Sequence, residues 1–139
     1  MSEVENTHLT ERQYKIYKRW REGEDPSEIA DDLETSKSNV SHILKSAKEN
    51  IKKSRKTVEL VDTLDWPLEM DFEPGEDIFD VSKEVYRRAD GEGIHLNYTG
   101  AELADLLAKN LKKDIQDRKI LIELKIRISE EGEVRAFIR

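Results

Sequence analysis

The sequence predicts an α+β chain in two parts: an all-helical N-terminal unit over residues 1–64, and a small α/β unit over residues 65–139. Three observations carry this. Through the first part, apolar residues recur at helical spacing behind residues that cap helices. From Trp66 the pattern changes, with strand-like alternation at residues 67–72 and again at 120–128. The charge divides as well: residues 1–57 hold 12 Lys/Arg against 11 Asp/Glu, whereas residues 58–139 hold 12 against 20.

Residues 1–8 show no periodicity and read as a tail. Thr10 can then cap a helix, with Gln13 at the reciprocal place of a capping box and Leu9 and Tyr14 at the places of a hydrophobic staple. Ile16, Tyr17 and Trp20 continue the apolar face, where the two aromatics serve the core rather than base stacking, and Gly23 suits the left-handed C-terminal cap. A second, short helix opens on Asp25 and Pro26, with Glu28 completing a box and Ile29, Ala30 and Leu33 inside. Small Ala30 admits the next helix at a steep angle. Glu34-Thr35 makes the turn without the glycine common there, and Ser36 or Thr35 caps the third helix. Two short helices joined this way form a helix-turn-helix.

The third helix begins with the segment at residues 36–47. Val40, Ile43, Leu44 and Ala47 make one buried stripe. The opposite edge is short, polar and basic, which suits the major groove. Lys37, Ser38, Asn39, Ser41 and His42 are the candidates for base edges, with Asn39 suited to adenine and Lys37 to guanine. Ser36 is a cap that also touches phosphate, and Lys45, Lys48, Lys52 and Lys53 serve phosphates, with Arg12 reaching the backbone from the first helix. Each of these lysines, taken alone, equally fits a solvated surface charge, and His42 equally fits a water-facing histidine. The total charge of −7 argues against a polyanion partner, but from Lys37 to Lys56 there are seven cations and one acid, Glu49. Affinity follows the local potential at the contact face.

Nothing breaks the third helix before Trp66-Pro67. Val40, Ala47, Ser54 and Val61 fall seven apart, as do Leu44, Ile51 and Val58. This heptad pattern fits a homodimer seam and two symmetric half-sites. It equally fits internal packing up to Ile51 followed by a connector.

In the second part, residues 67–72 read as a strand and Glu73-Pro74-Gly75-Glu76 as a turn. Ile78, Val81, Val85 and Ala89, with Phe79 and Tyr86, make a helix ended by Gly91 and Gly93. Residues 94–98 read as a strand. Thr99 and Glu102 form a capping box on a helix that buries Leu103, Leu107 and Leu111. Residues 120–128 form the clearest strand, and Glu130-Glu131-Gly132 turns it into a hairpin with residues 134–138. The expected order is β-α-β-α-β-β.

The pattern Leu9-Thr10-x-Arg12-Gln13, Gly23, Glu28-Ile29-Ala30, Leu33, Thr35-Ser36, Asn39-Val40-Ser41, Ile43, Ala47, Glu49-Asn50-Ile51 resembles the DNA-binding part of the archaeal Tfx-type transcriptional regulators. It is similar, more distantly, to LuxR-type domains and to region four of bacterial sigma factors. The stretch Ala89-Asp90-x-x-Gly93-Ile94-His95-Leu96 resembles the C-terminal domain of the same family. The resemblance implies sequence-specific binding of double-stranded DNA, transcriptional control, and a second domain after the DNA-binding one; in the regulator reading that domain serves dimerisation, effector sensing or contact with the transcription machinery.

The remaining chemistry points away from catalysis. The chain has no Cys, and His8, His42 and His95 lack metal-ligand spacing, so neither a metal nor another cofactor is expected. His95, on its expected strand, reads as a satisfied structural histidine. No nucleophile triad order, P-loop or dinucleotide fingerprint occurs. No apolar run approaches the roughly 18 residues of a membrane span, and no signal-peptide core is present, so a soluble cytoplasmic protein with no membrane partner is expected. Two alternatives stay open: a ligand-binding or catalytic α/β domain anchored by an accessory helix-turn-helix, and an autoregulating protein-interaction module.

Overall fold

A computed structural model describes residues 2–138. Among the described residues the protein combines five α-helices with small antiparallel sheets, which makes it α+β, and it divides between Val58 and Glu59 into two compact units. Among the described residues no helix is long and apolar enough to cross a membrane.

The first unit holds α1 (Glu11–Arg21), α2 (Pro26–Asp32) and most of α3 (Lys37–Asp62). Each start has the cap its residues predict. Thr10 Oγ1 accepts from Gln13 N–H while Gln13 Oε1 accepts from Thr10 N–H, a complete capping box. Asp25 accepts from Ser27 N–H at 2.8 Å with Pro26 at the first position, but Glu28 makes no reciprocal bond, so the second box expected from the sequence is half formed. Ser36, not Thr35, caps α3: its Oγ accepts from Asn39 N–H at 3.0 Å. Gly23, at φ +96, ends α1 as expected. Ile16, Ile29, Ala30, Val40 and Leu44 form the core, with Tyr17, Trp20, Leu33 and Ile43 packed against it. Both aromatics are therefore structural. Arg19 fastens α1 to the loop and helix after it, bonding Glu24 through Nε at 2.6 Å and Asp32 through Nη2. This guanidinium holds the Glu24 carboxyl below the usual carboxylate range.

The turn between α2 and α3 is tied by Glu34 N–H to Asp31 O and Thr35 N–H to Ala30 O. It needs a left-handed residue, and Glu34 supplies one at φ +54. Glu34→Gly is therefore expected to stabilise the first unit by about 0.5–1 kcal/mol, the relief of a side chain in that region less the entropy glycine adds to the unfolded chain. A urea midpoint that stays put or falls would contradict this.

The second unit holds the end of α3, then β1 (Leu68–Phe72), α4 (Ile78–Gly91), α5 (Gly100–Leu111), β2 (Ile115–Gln116), β3 (Lys119–Ile120), β4 (Leu124–Ile128) and β5 (Val134–Ile138). The main sheet runs β1-β4-β5 and is wholly antiparallel. Its inner face, with Met70, Ile126 and Ala136 in one cross-strand row, meets Val81, Val85 and Ala89 of α4 and Leu103, Leu107 and Leu111 of α5. The outer face is ionic. Glu69 stands opposite Arg127 and Asp71 opposite Lys125, and Lys125 bridges both carboxylates, at 2.5 and 2.9 Å.

The strand order differs from β-α-β-α-β-β in two places. Residues 94–98 form no strand. Ile94 and Leu96 are buried and alternate with exposed His95, but no ladder forms: Ile94 N–H closes α4 on Ala89 O, and Asn97 N–H donates to Gly132 O. The alternation reflects burial, not pairing. The run at 120–128 is broken too. Ile120 pairs with Ile115 in a two-residue hairpin turned by Asp117 and Arg118, both left-handed, and the ladder to β1 begins only at Leu124. Such a turn normally advertises itself with glycine, so Asp-Arg gave no signal. Phe79, expected to support α4's inner stripe, is 48% exposed and stacks under Arg118 instead.

Candidate nucleic-acid interface

The start of α3 separates two chemistries on one cylinder. Val40 and Ala47 are fully buried and Leu44 is 7% exposed, so the stripe at i, i+4, i+7 faces the first unit's core. Ser36, Lys37, Ser38, Asn39, Ser41, His42, Lys45, Lys48, Lys52 and Lys53 are all exposed. The structure thus leaves every sequence-derived candidate on the surface and gathers them on the outer side of one helix. Arg12, on α1, is exposed as well.

Local bonds preset part of this edge. Ser36 Oγ is engaged as the cap, which leaves its O–H to donate outward. Asn39 Nδ2 donates to Thr35 Oγ1 at 2.9 Å. That bond steadies the amide one turn into the helix. The amide oxygen and second N–H of Asn39 make no further bond among the described residues, and these two groups are the pair that a bidentate contact with adenine requires. At the neighbouring end of α2, the Asp25 carboxyl sits below its usual range, held first by the Ser27 N–H and hydroxyl and further by the charge of Lys37.

Two features had no signal in the sequence. Lys48 Nζ lies 3.8 Å from the centre of the Trp20 ring, a close cation–π contact between α3 and α1. Its ammonium therefore already has a partner, unlike an ordinary solvated lysine. Around it, Tyr17, Trp20, Lys48, Ile51, Lys52 and Arg55 line a shallow groove of about 340 Å³, and Arg21 stacks over Tyr17 at 5.9 Å. The groove gives the α1 side of α3 a basic rim on an aromatic floor. No spacing rule links Trp20 to Lys48, which lie on different helices. The second is the Thr35–Asn39 bond, which the cap reading of Thr35 or Ser36 left undistinguished.

A family model described as the C-terminal domain of the DNA-binding protein TFX matches residues 54–136, more than half of the chain. The chain belongs to the TFX family. This TFX-family chain is 37% identical over 131 residues to a protein of Methanocaldococcus jannaschii provisionally named a transcriptional regulatory protein, covering 94% of this chain and 96% of that one. It is 31% identical over 128 residues to the DNA-binding protein Tfx of Methanothermobacter thermautotrophicus, covering 92% and 93%. A similarly named regulatory protein of Haloarcula marismortui is 32% identical over 132 residues, covering 95% and 83%. The family assignment thus agrees with the resemblance drawn from residue patterns, and the full-length coverage extends it across both units of the TFX-family chain.

Proposed function

We propose that this protein is a sequence-specific regulator of transcription that binds double-stranded DNA, with α2 and α3 as its helix-turn-helix and residues 36–47 lying in the major groove. Residues 1–64 carry the contact and residues 65–139 form the acidic partner or effector domain. The observation that supports this most is the division of α3: Val40, Leu44 and Ala47 are buried while all ten polar candidates along it stay exposed. A helix buried on both sides could not enter a groove, and one without a fixed inner stripe could not hold register in it. Asn39, Lys37, Ser38, Ser41 and His42 read bases. Ser36, Lys45, Lys52 and Lys53 hold phosphates, and Lys48 does so from its seat on Trp20. The protein acts in the cytoplasm, binds as a homodimer on two half-sites and performs no chemical step of its own.

The test separates readout from positioning. Asn39→Ala is expected to weaken binding to the preferred duplex by about 1–3 kcal/mol and to relax preference at one base pair, while leaving random duplexes unaffected. Lys52→Ala is expected to weaken preferred and random duplexes alike and to reduce the steepness of the log affinity against log salt plot by roughly one unit. Equal losses on both duplex types for Asn39→Ala would remove its role as a reader. An unchanged salt slope would remove Lys52 from the phosphate contacts.

A further inference from the structure

Four of the seven large apolar side chains that are exposed among the described residues fall close together: Val58 at 57%, Leu60 at 43%, Val61 at 58% and Leu64 at 67%. Val58 and Val61 continue the stripe of α3 beyond the point where it is used internally, while Leu64 lies just past the helix end and Leu60 on another side of the last turn. Val40, Leu44 and Ala47 are buried and Ile51 half-buried, so the first half of the heptad pattern serves the first unit's own core and is not open to a partner. Only the last turns of the helix remain uncovered. Contiguous apolar exposure of this kind, rimmed by charge, marks an interaction surface.

The charges beside the patch identify its occupant. Lys52, Lys53, Arg55 and Lys56 precede Val58, and Glu59, Asp62 and Asp65 come after it. Side by side in parallel, two such helices would set cations against cations and carboxylates against carboxylates. Reversed, they set each block against its opposite. Arg55 and Asp62 are seven residues apart and so lie on the same flank of the helix. A twofold axis near Val58 and Glu59 then brings Arg55 to the partner's Asp62 and Asp62 to the partner's Arg55. We propose that a second copy of this chain covers the patch, and that the two α3 helices pair antiparallel across Val58 and Val61.

A surface of so few side chains is small for a permanent interface, so the dimer is expected to form reversibly in the micromolar range. This pairing supplies the homodimer of the proposed function and so rests on that reading for its role at two half-sites. It is separable from DNA binding itself: a chain that selects a duplex yet never self-associates overturns the pairing and leaves the regulator reading in place.

Sedimentation equilibrium of the full chain at fixed moderate salt tests the proposal. The unsubstituted protein is expected to dimerise, and Val61→Glu or Val58→Glu to raise the dissociation constant by roughly 30-fold or more, because each buries an unpaired charge. Both sites are exposed, so the circular dichroism spectrum stays unchanged, as does the melting temperature measured at concentrations where the parent is monomeric. Arg55→Asp and Asp62→Arg singly are each expected to weaken association about 5-fold, and the two together to restore it, because the reversed pair again meets its opposite. A protein that remains monomeric through the micromolar range, glutamate variants that dimerise like the parent, or a double variant no stronger than the singles would each overturn the antiparallel pairing.

Discussion

Gly132→Ala is expected to destabilise the second unit by about 3 kcal/mol, lowering its melting temperature by roughly 12–24 °C. Gly132 stands at φ +86 in the loop between β4 and β5, a region that a side chain enters only with strain. The space is closed as well. A β-carbon there would lie 2.0 Å from the carbonyl oxygen of His95. The obstacle is backbone, so no side-chain rotation can relieve it. Residues 94–97 would have to withdraw, and with them would go the Asn97 N–H bond to Gly132 O at 3.1 Å and the Asn97 Nδ2 bond to Glu133. Gly91→Ala supplies the control. Nothing lies within 4 Å of that position and its φ is not left-handed, so the substitution is expected to be neutral or to stabilise α4 by up to about 1 kcal/mol. Equal melting temperatures for the two variants would show that Gly132 and His95 do not approach so closely.

Arg127→Ala is expected to cost about 2–4 kcal/mol and to loosen the end of α3. Arg127 is 6% exposed on the outer face of β4. Its Nη1 donates to Leu60 O at 2.6 Å and to Thr63 Oγ1 at 3.0 Å, its Nε donates to Glu69 at 3.2 Å, and its guanidinium lies 5.2 Å from the Phe137 ring. The helix end needs this cation. The last turn of α3 contains no basic residue, while Glu59 and Asp62 add negative charge to the end that already carries unpaired carbonyls. Arg127 supplies the missing charge from the sheet. Glu69 keeps Lys125 and the Thr63 hydroxyl keeps its bond to Glu59 O at 2.7 Å when Arg127 is lost, so the group left short is chiefly the Leu60 carbonyl. Hydrogen exchange at the Thr63 amide, which donates to Glu59 O, should accelerate in Arg127→Ala and less so in Arg127→Lys, which keeps the charge but loses the fork. Unaltered protection at Thr63 in the alanine variant would mean that Arg127 does not anchor the helix.

The parts of the fold visible in the sequence are those built by short-range rules. Thr10 with Gln13, Asp25 with Pro26, Thr99 with Glu102, and the inward leucines of α5 all work within one or two turns, and each appears as predicted. The misses share a different cause. Alternation at residues 94–98 reports which side chains are buried, and it is silent on whether another strand lies alongside. The hairpin at Asp117 and Arg118 uses left-handed residues without glycine, and its Arg118 is held by Asp77, 41 residues away. At the candidate interface, residue type and helical phase were enough to put ten side chains on an exposed edge, because phase alone decides that once Val40 and Leu44 are inside. The Lys48–Trp20 contact was not legible, since it depends on how α1 and α3 pack. The heptad pattern was ambiguous for a physical reason: the same seven-residue period serves a helix packed inside its own unit and a helix packed on a twin.

Selection of bound duplexes from a randomised pool, run in parallel with the parent protein and with Asn39→Ala, tests most directly whether α3 reads bases. The expected result is one enriched motif for the parent and relaxed preference at a single base pair of it for the variant. A pool that emerges without any enriched motif, or an identical motif from both proteins, would contradict base readout by this helix.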